Sequence, residues 1–170
     1  LNYCLARLIT QENLDISSTD RRVRNYSVVK AREYIEHAAE CGADYVQIMS
    51  GKAPPKEQER LECLAVLSDS LVELAEFASK QYRLRLVIEP VDVYADKKGV
   101  LGFFREAICL IERTLSRAPA ALILDTAHME LNGEPIEDVL GTSLSNVAEV
   151  HLCNCVTCIT DEFYGDKHIR

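Results

Sequence analysis

The chain has 170 residues, 48% of them hydrophobic, enough to bury the core of one domain. A net charge of −8 and a pI near 5.0, with no basic stripe, argue against general binding to nucleic acid or to an anionic membrane surface. No apolar run approaches the roughly 20 residues that a membrane-spanning helix needs.

Seven cysteines, an odd number, are scattered at Cys4, Cys41, Cys63, Cys109, Cys153, Cys155 and Cys158 with no signal peptide ahead of them. Reduced thiols in a cytoplasmic protein are expected. The chain starts at Leu1 inside an apolar run and stops at "KHIR", and it reads as a piece of a longer one.

In chain order, "YCLARLI" (Tyr3 to Ile9) reads as a strand followed by a polar loop. Val28, Ala31, Ile35, Ala38 and Ala39 then follow helical spacing, with Ser27 as N-cap and Gly42 as C-cap. "DYVQIMSG" is a buried strand. Pro54 and Pro55 open a long helix with a core stripe through Leu61, Leu64, Leu67, Leu71, Ala75 and Ala78. "RLRLVIEP" is a strand stopped by Pro90, "LGFFREAICLIERTL" an amphipathic helix, and "AALILD" the next strand. Pro135 starts a shorter helix, and "AEVHLCNC" is the last strand.

Strands apolar on both faces, alternating with helices, imply a parallel sheet covered by helices. An open doubly wound sheet often carries a glycine-rich first turn, and neither GxGxxG nor a P-loop is present. A (β/α)₈ barrel instead places its chemistry at the C-terminal ends of many strands. Here "LVIEP" ends on Glu89, "LILD" on Asp125, and "AEVH" reaches His151, at spacings of 36 and 26 residues, about one βα unit each. The expected fold is therefore an α/β TIM barrel, a partial one with about five of its eight βα units, forming a single domain over residues 1–170.

A carboxylate buried alone at a strand end costs several kcal/mol, which a cation must offset. Glu89, Asp125 and His151 on successive strands thus form an oxygen-rich ligand set that suits Mg²⁺ or Mn²⁺, with Co²⁺ and Zn²⁺ also compatible. Taken singly, each residue reads more simply as an ion-pair partner or a helix cap than as a ligand, Asp125 as a cap for the following segment and His151 as a hydrogen-bonded core histidine; the joint pattern is what points to a metal. His128, three residues after Asp125, reads as a substrate contact or a group behind the ligands. "HLCNCVTC" has zinc-like spacing at Cys155 and Cys158 but no second pair, so a structural zinc is not inferred. His37 reads as a surface or helix-packing residue. Lys97 and Lys98 could meet an anionic group, a solvated loop being the simpler reading.

The combination "VIEP", "LDTAHM", "EVHLCN" and "YGDKHI" resembles the xylose isomerase-like TIM barrels, the superfamily of sugar and sugar-phosphate isomerases and epimerases. "DTAHM" is close to a segment of the ketose 3-epimerases, and "GADYVQIMSG" resembles their fourth strand. The resemblance implies a divalent metal held by Glu89, Asp125 and His151, with a fourth ligand, a glutamate, beyond Arg170. It implies proton abstraction beside a carbonyl through an ene-diolate, with Glu89 as both ligand and acid/base. His128 would touch a substrate hydroxyl, and Asp166 and His168 would line the rim of the substrate site. The implied partner is a small sugar or sugar phosphate, with no membrane, nucleic acid disfavoured, and a homo-oligomer left open.

Two alternatives remain at this stage. Zinc-dependent endonucleases of abasic DNA share the superfamily, and "DTAH", His151 and the Asp166-x-His168 pair resemble their ligands. They carry a histidine where this chain has "IMSG". A non-catalytic barrel fragment or binding module is the third reading.

Overall fold

The computed structural model describes residues 1–141 and 144–167. Among them five parallel strands lie in one sheet: β1 (Asn2–Cys4), β2 (Tyr45–Ile48), β3 (Arg85–Ile88), β4 (Ala120–Asp125) and β5 (Val147–His151). Their order in the sheet is their order in the chain. A doubly wound sheet reverses direction at a switch point, and this one does not. Monotonic order is what a barrel wall requires.

Between the strands run α1 (Ala6–Gln11), α2 (Arg21–Glu40), α3 (Glu57–Tyr82), α4 (Phe104–Leu115), α5 (Thr126–Leu131) and α6 (Ile136–Leu140). Strand residues alternate between two faces. Tyr3, Val46, Leu86, Ala120 and Leu122 turn outward and meet Ile35, Leu67, Leu71, Leu74 and Ile111 of the helices in the main core. Each fully buried leucine or isoleucine there contributes about 1.5–3 kcal/mol. The other face holds a small apolar floor of Val87, Ala121 and Ile123, with polar side chains around it.

That inner face is concave. Four steps of about 4.8 Å would set β1 and β5 roughly 19 Å apart in a flat sheet. Instead Asn2 Nδ2 on β1 donates to Glu149 Oε2 on β5 at 3.2 Å. The sheet has rolled far enough for its first and last strands to touch through side chains, which makes it part of a barrel wall. Between Leu122 and Ile123 the β4–β5 register shifts, so that Leu122 pairs with Val147 while Ile123 pairs with Glu149.

Several local expectations are corrected. "YCLARLI" is not one strand, because β1 ends at Cys4 and α1 follows from Ala6. The next helix begins a turn and a half before Ser27: Asp20 is its N-cap, accepting from Arg22 N, and Ser27 is buried within it with Oγ bonded back to Val23 O. Its C-cap is Cys41, and Gly42, at φ +71°, makes the left-handed exit. The proline pair does not open α3, whose N-cap is Lys56. Leu61 is 46% exposed, so the stripe of that helix runs through Cys63, Leu67, Leu71, Leu74 and Ala78. The last strand stops at His151, and Cys153 and Cys155 lie in the loop beyond it.

Candidate metal centre

β3 delivers Glu89 to the barrel mouth one residue past its end, where Pro90 prevents the ladder from continuing. Glu89 is 6% exposed. Its Oε2 accepts from Gln47 Nε2 of β2 at 2.6 Å, and its Oε1 stands 3.0 Å from His151 Nδ1. The carboxylate is thus oriented from both sides.

Asp125 answers to two duties. As the N-cap of α5 it uses Oδ1 to accept from Ala127 N at 2.8 Å and His128 N at 3.2 Å. Its Oδ2 faces the mouth, 3.6 Å from His151 Nδ1. The cap reading and the ligand reading of Asp125 are therefore compatible, since each employs a different oxygen.

The short helix α5 then turns His128 inward, 4% exposed, and one atom each of Glu89, Asp125 and His128 lie within 4.8 Å of one another. Behind this imidazole lies Asp92, fully buried in the loop after β3, whose Oδ2 is 3.1 Å from His128 Nδ1. That contact is one of charge more than of alignment, because Nδ1 makes no well-directed hydrogen bond. Asp92 Oδ1 also gathers the backbone N–H groups of Asp96 and Lys97, at 2.5 and 3.0 Å. Burial alone would raise the Asp92 carboxyl, but His128 and these N–H groups more than offset it and bring it to about 2. Burial likewise pulls the His128 imidazole down, while Asp92, Asp125 and Glu89 more than compensate and hold it above its ordinary value.

Asp166 is buried at 4% and reaches the same place, its Oδ2 3.4 Å from Lys97 Nζ and 3.9 Å from His128 Nε2. Lys97 is tied to Asp96 as well, so it is half-buried in ion pairs and does not wave in solvent. His168, expected at the rim, lies outside the described residues. Cys153 approaches Asp125, and burial followed by that negative charge pushes its thiol up to about 11. It stays protonated near neutrality and offers no thiolate. His37 is exposed and packs edge-on against Tyr34, away from the site.

A cavity of about 340 Å³ opens at the strand ends, lined by Thr10, Asp15, Met49, Lys52, Val91 and Lys97 among others; none of the four buried acids lines it, and Lys97, paired with Asp166, links the two. Gly51 forms part of the cavity wall. A Cβ there would fall 1.8 Å from Asp15 Oδ1, so only glycine lets the loop pass.

A family profile for the xylose isomerase-like TIM barrel matches residues 3–161. The chain belongs to that family. An uncharacterized protein of Methanocaldococcus jannaschii, MJ1311, is 24% identical over 159 residues, which cover 93% of this chain and 52% of that protein. Among solved structures, the IolI protein with a bound zinc atom superposes with a TM-score of 0.73 at 20% identity, over 96% of this chain and 55% of the other. A D-tagatose 3-epimerase-like protein gives 0.69 at 23% identity over 92% and 56%. D-psicose 3-epimerase crystallised with D-fructose gives 0.70 at 17% identity over 82% and 48%. At these identities the likeness is one of fold, and this chain spans about half the length of the relatives it matches. Among the described residues no helix is long and apolar enough to cross a membrane.

Proposed function

We propose that this chain carries the metal-binding wall of a sugar or sugar-phosphate isomerase or epimerase. The observation that carries the reading is the meeting of Glu89, Asp125 and two imidazoles in one small buried space. A ring nitrogen of His128 lies within 4.8 Å of an oxygen of each acid, and His151 Nδ1 stands 3.0 Å from Glu89 and 3.6 Å from Asp125. Four carboxylates, Glu89, Asp92, Asp125 and Asp166, are each 6% exposed or less around this point. Such a concentration of buried negative charge is stable only with a cation or a proton to share.

The donor set fits a divalent ion. Carboxylate oxygens with imidazole nitrogen accept Mn²⁺, Mg²⁺ or Co²⁺, and Zn²⁺ as well. Glu89, Asp125 and His151 would hold it. Such an ion supplies Lewis acidity, which makes the C–H beside a sugar carbonyl easier to ionise. Glu89, oriented by Gln47 and His151, would act as the acid/base that moves that proton. His128, backed by Asp92, would donate to a sugar hydroxyl, and Asp166 would line the same rim. The adjoining cavity would admit a small sugar.

Deuterium exchange tests this directly. In D₂O with Mn²⁺, the chain should place deuterium on the carbon beside the carbonyl of at least one ketose in a panel of free and phosphorylated sugars. Glu89→Gln should stop it. A protein that binds the ion yet exchanges no sugar overturns the isomerase reading. One observation favours the phosphodiesterase alternative: Asp166 lies beside His128, as a second cation site would need. Two or three zinc ions per chain, with cleavage of abasic DNA, would decide for it.

A further inference from the structure

A closed circuit of side chains crosses the concave face beneath Glu89. Asn2 Nδ2 donates to Gln47 Oε1 at 2.9 Å, and Gln47 Nε2 donates to Glu89 Oε2 at 2.6 Å. Glu89 Oε1 meets His151 Nδ1 at 3.0 Å, and His151 Nε2 lies 3.4 Å from Glu149 Oε1. Glu149 Oε2 then accepts from Asn2 Nδ2 at 3.2 Å, which closes the loop. Tyr45 supports it from the side, its hydroxyl donating to Glu149 Oε2 at 2.8 Å. That bond, and then burial, push the Tyr45 phenol up, so it remains a donor near neutrality.

An imidazole nitrogen can bind a cation only while it carries no proton. The other nitrogen then holds the N–H and requires an acceptor. His151 presents Nδ1 to both Glu89 and Asp125, and Nε2 to Glu149. Resting on the metal reading above, we infer that Glu149 is a positioning residue, whose Oε1 takes the Nε2–H of His151 and leaves Nδ1 bare towards the cation.

Three features make this more than a chance surface contact. Glu149 precedes His151 by two residues on one strand, so both point into the barrel. Its second oxygen is held by Asn2 and Tyr45, which keeps the carboxylate from turning away. Finally, the partners come from β1, β2 and β5, so the orientation of one ligand is set by strands at opposite edges of the sheet.

The test is cation affinity, measured by titrating Co²⁺ and Zn²⁺ into the chain. Glu149→Ala should weaken binding about 10–100-fold. Glu149→Gln keeps a neutral acceptor and should stay within about threefold. Tyr45→Phe, which frees the carboxylate on one side, should fall between them. Long-range ¹H–¹⁵N spectra of the Zn²⁺-loaded wild type should show His151 with the proton on Nε2 and none on Nδ1. Equal affinity of wild type and Glu149→Ala, or a His151 proton on Nδ1, overturns the inference alone. A lower melting temperature in Glu149→Ala with unchanged affinity does the same, since it marks a purely structural role. A wild type that binds neither ion overturns the metal reading and this inference together. Should Glu149→Ala not fold, the wild-type spectrum and the Tyr45→Phe titration still decide.

Discussion

The guanidinium of Arg60 on α3 grips the carboxylate of Glu106 on α4 through two bonds, 2.6 Å from Nη2 and 2.9 Å from Nη1. Only 3% of the Arg60 side chain is exposed, against 25% for Glu106. The same group donates to Val100 O at 2.9 Å and pairs with Glu57, which is 53% exposed. One buried cation thus ties two helices to the loop that leads from β3 to α4. Removing it strands partly buried acceptors, so Arg60→Met should cost about 3 kcal/mol in urea unfolding. Glu57→Gln, losing only an exposed partner, should cost less than about 1 kcal/mol. Equal costs would show that the buried arm of the pair is not the stabilising one.

Asp125 separates its two duties by oxygen, and two substitutions can separate them by experiment. Asp125→Asn keeps a side-chain oxygen to cap α5, so its stability should stay within about 1 kcal/mol of wild type. Its cation affinity should nevertheless drop by more than about 100-fold, beyond the loss typical of an outer partner. Asp125→Ala should lose the same affinity and about 1 kcal/mol more stability. Retained affinity in Asp125→Asn would remove it from the ligand set.

Glu134 reaches from the loop after α5 to the start of α4, where both its oxygens accept from Phe104 N at 3.0 and 3.1 Å. Phe103, the N-cap there, supplies no side-chain bond of its own. Burial raises the Glu134 carboxyl above its ordinary value, only partly countered by the Phe104 N–H. A raised native value means that the folded state binds the proton more tightly than the unfolded one. The stabilisation is complete below the unfolded value and is lost as pH rises through the folded one. Glu134→Gln keeps an acceptor without the charge, so its melting temperature relative to wild type should climb as pH rises above the ordinary glutamate range. A flat difference over that range would contradict the burial account.

Much of this architecture was legible because long apolar runs and strong helical stripes override local ambiguity. "AALILD" coincides with β4 to the residue, and the alternation of strands and helices led directly to a barrel wall. The errors sit where two periodicities share residues. In "YCLARLI", Leu5 and Ile9 fit a helix four residues apart as well as an apolar strand, and a run that short cannot decide. The polar opening of α2, "RRVRN", concealed a turn and a half of helix because its exposed residues carry no stripe. α5 carries no such signal: Asp125 reads as a cap, but the six residues after it are too few to show a helical stripe. Glu89, Asp125 and His151 could be found from strand ends alone. Glu149 was available from the i, i+2 rule, whereas Asp92 was not, because it sits in an irregular loop whose path only the folded chain reveals.

One residue, Ala148, governs which way the last strand looks. Val147 is level with Leu122 and packs on the helix side, while Glu149 is level with Ile123 and looks inward. Both belong to the same parity of the strand, so an unbroken ladder would send them the same way. The shift at Leu122/Ile123 acts as a frameshift in space: the letters are unchanged, and every side chain after it is read on the opposite face. His151 arrives opposite Asp125 on that account. A straight ladder that kept Ala148 would set it opposite Ile123 and carry Glu149 and His151 out among the helices, whereas excising Ala148 would straighten the strand and leave both facing inward, the site intact.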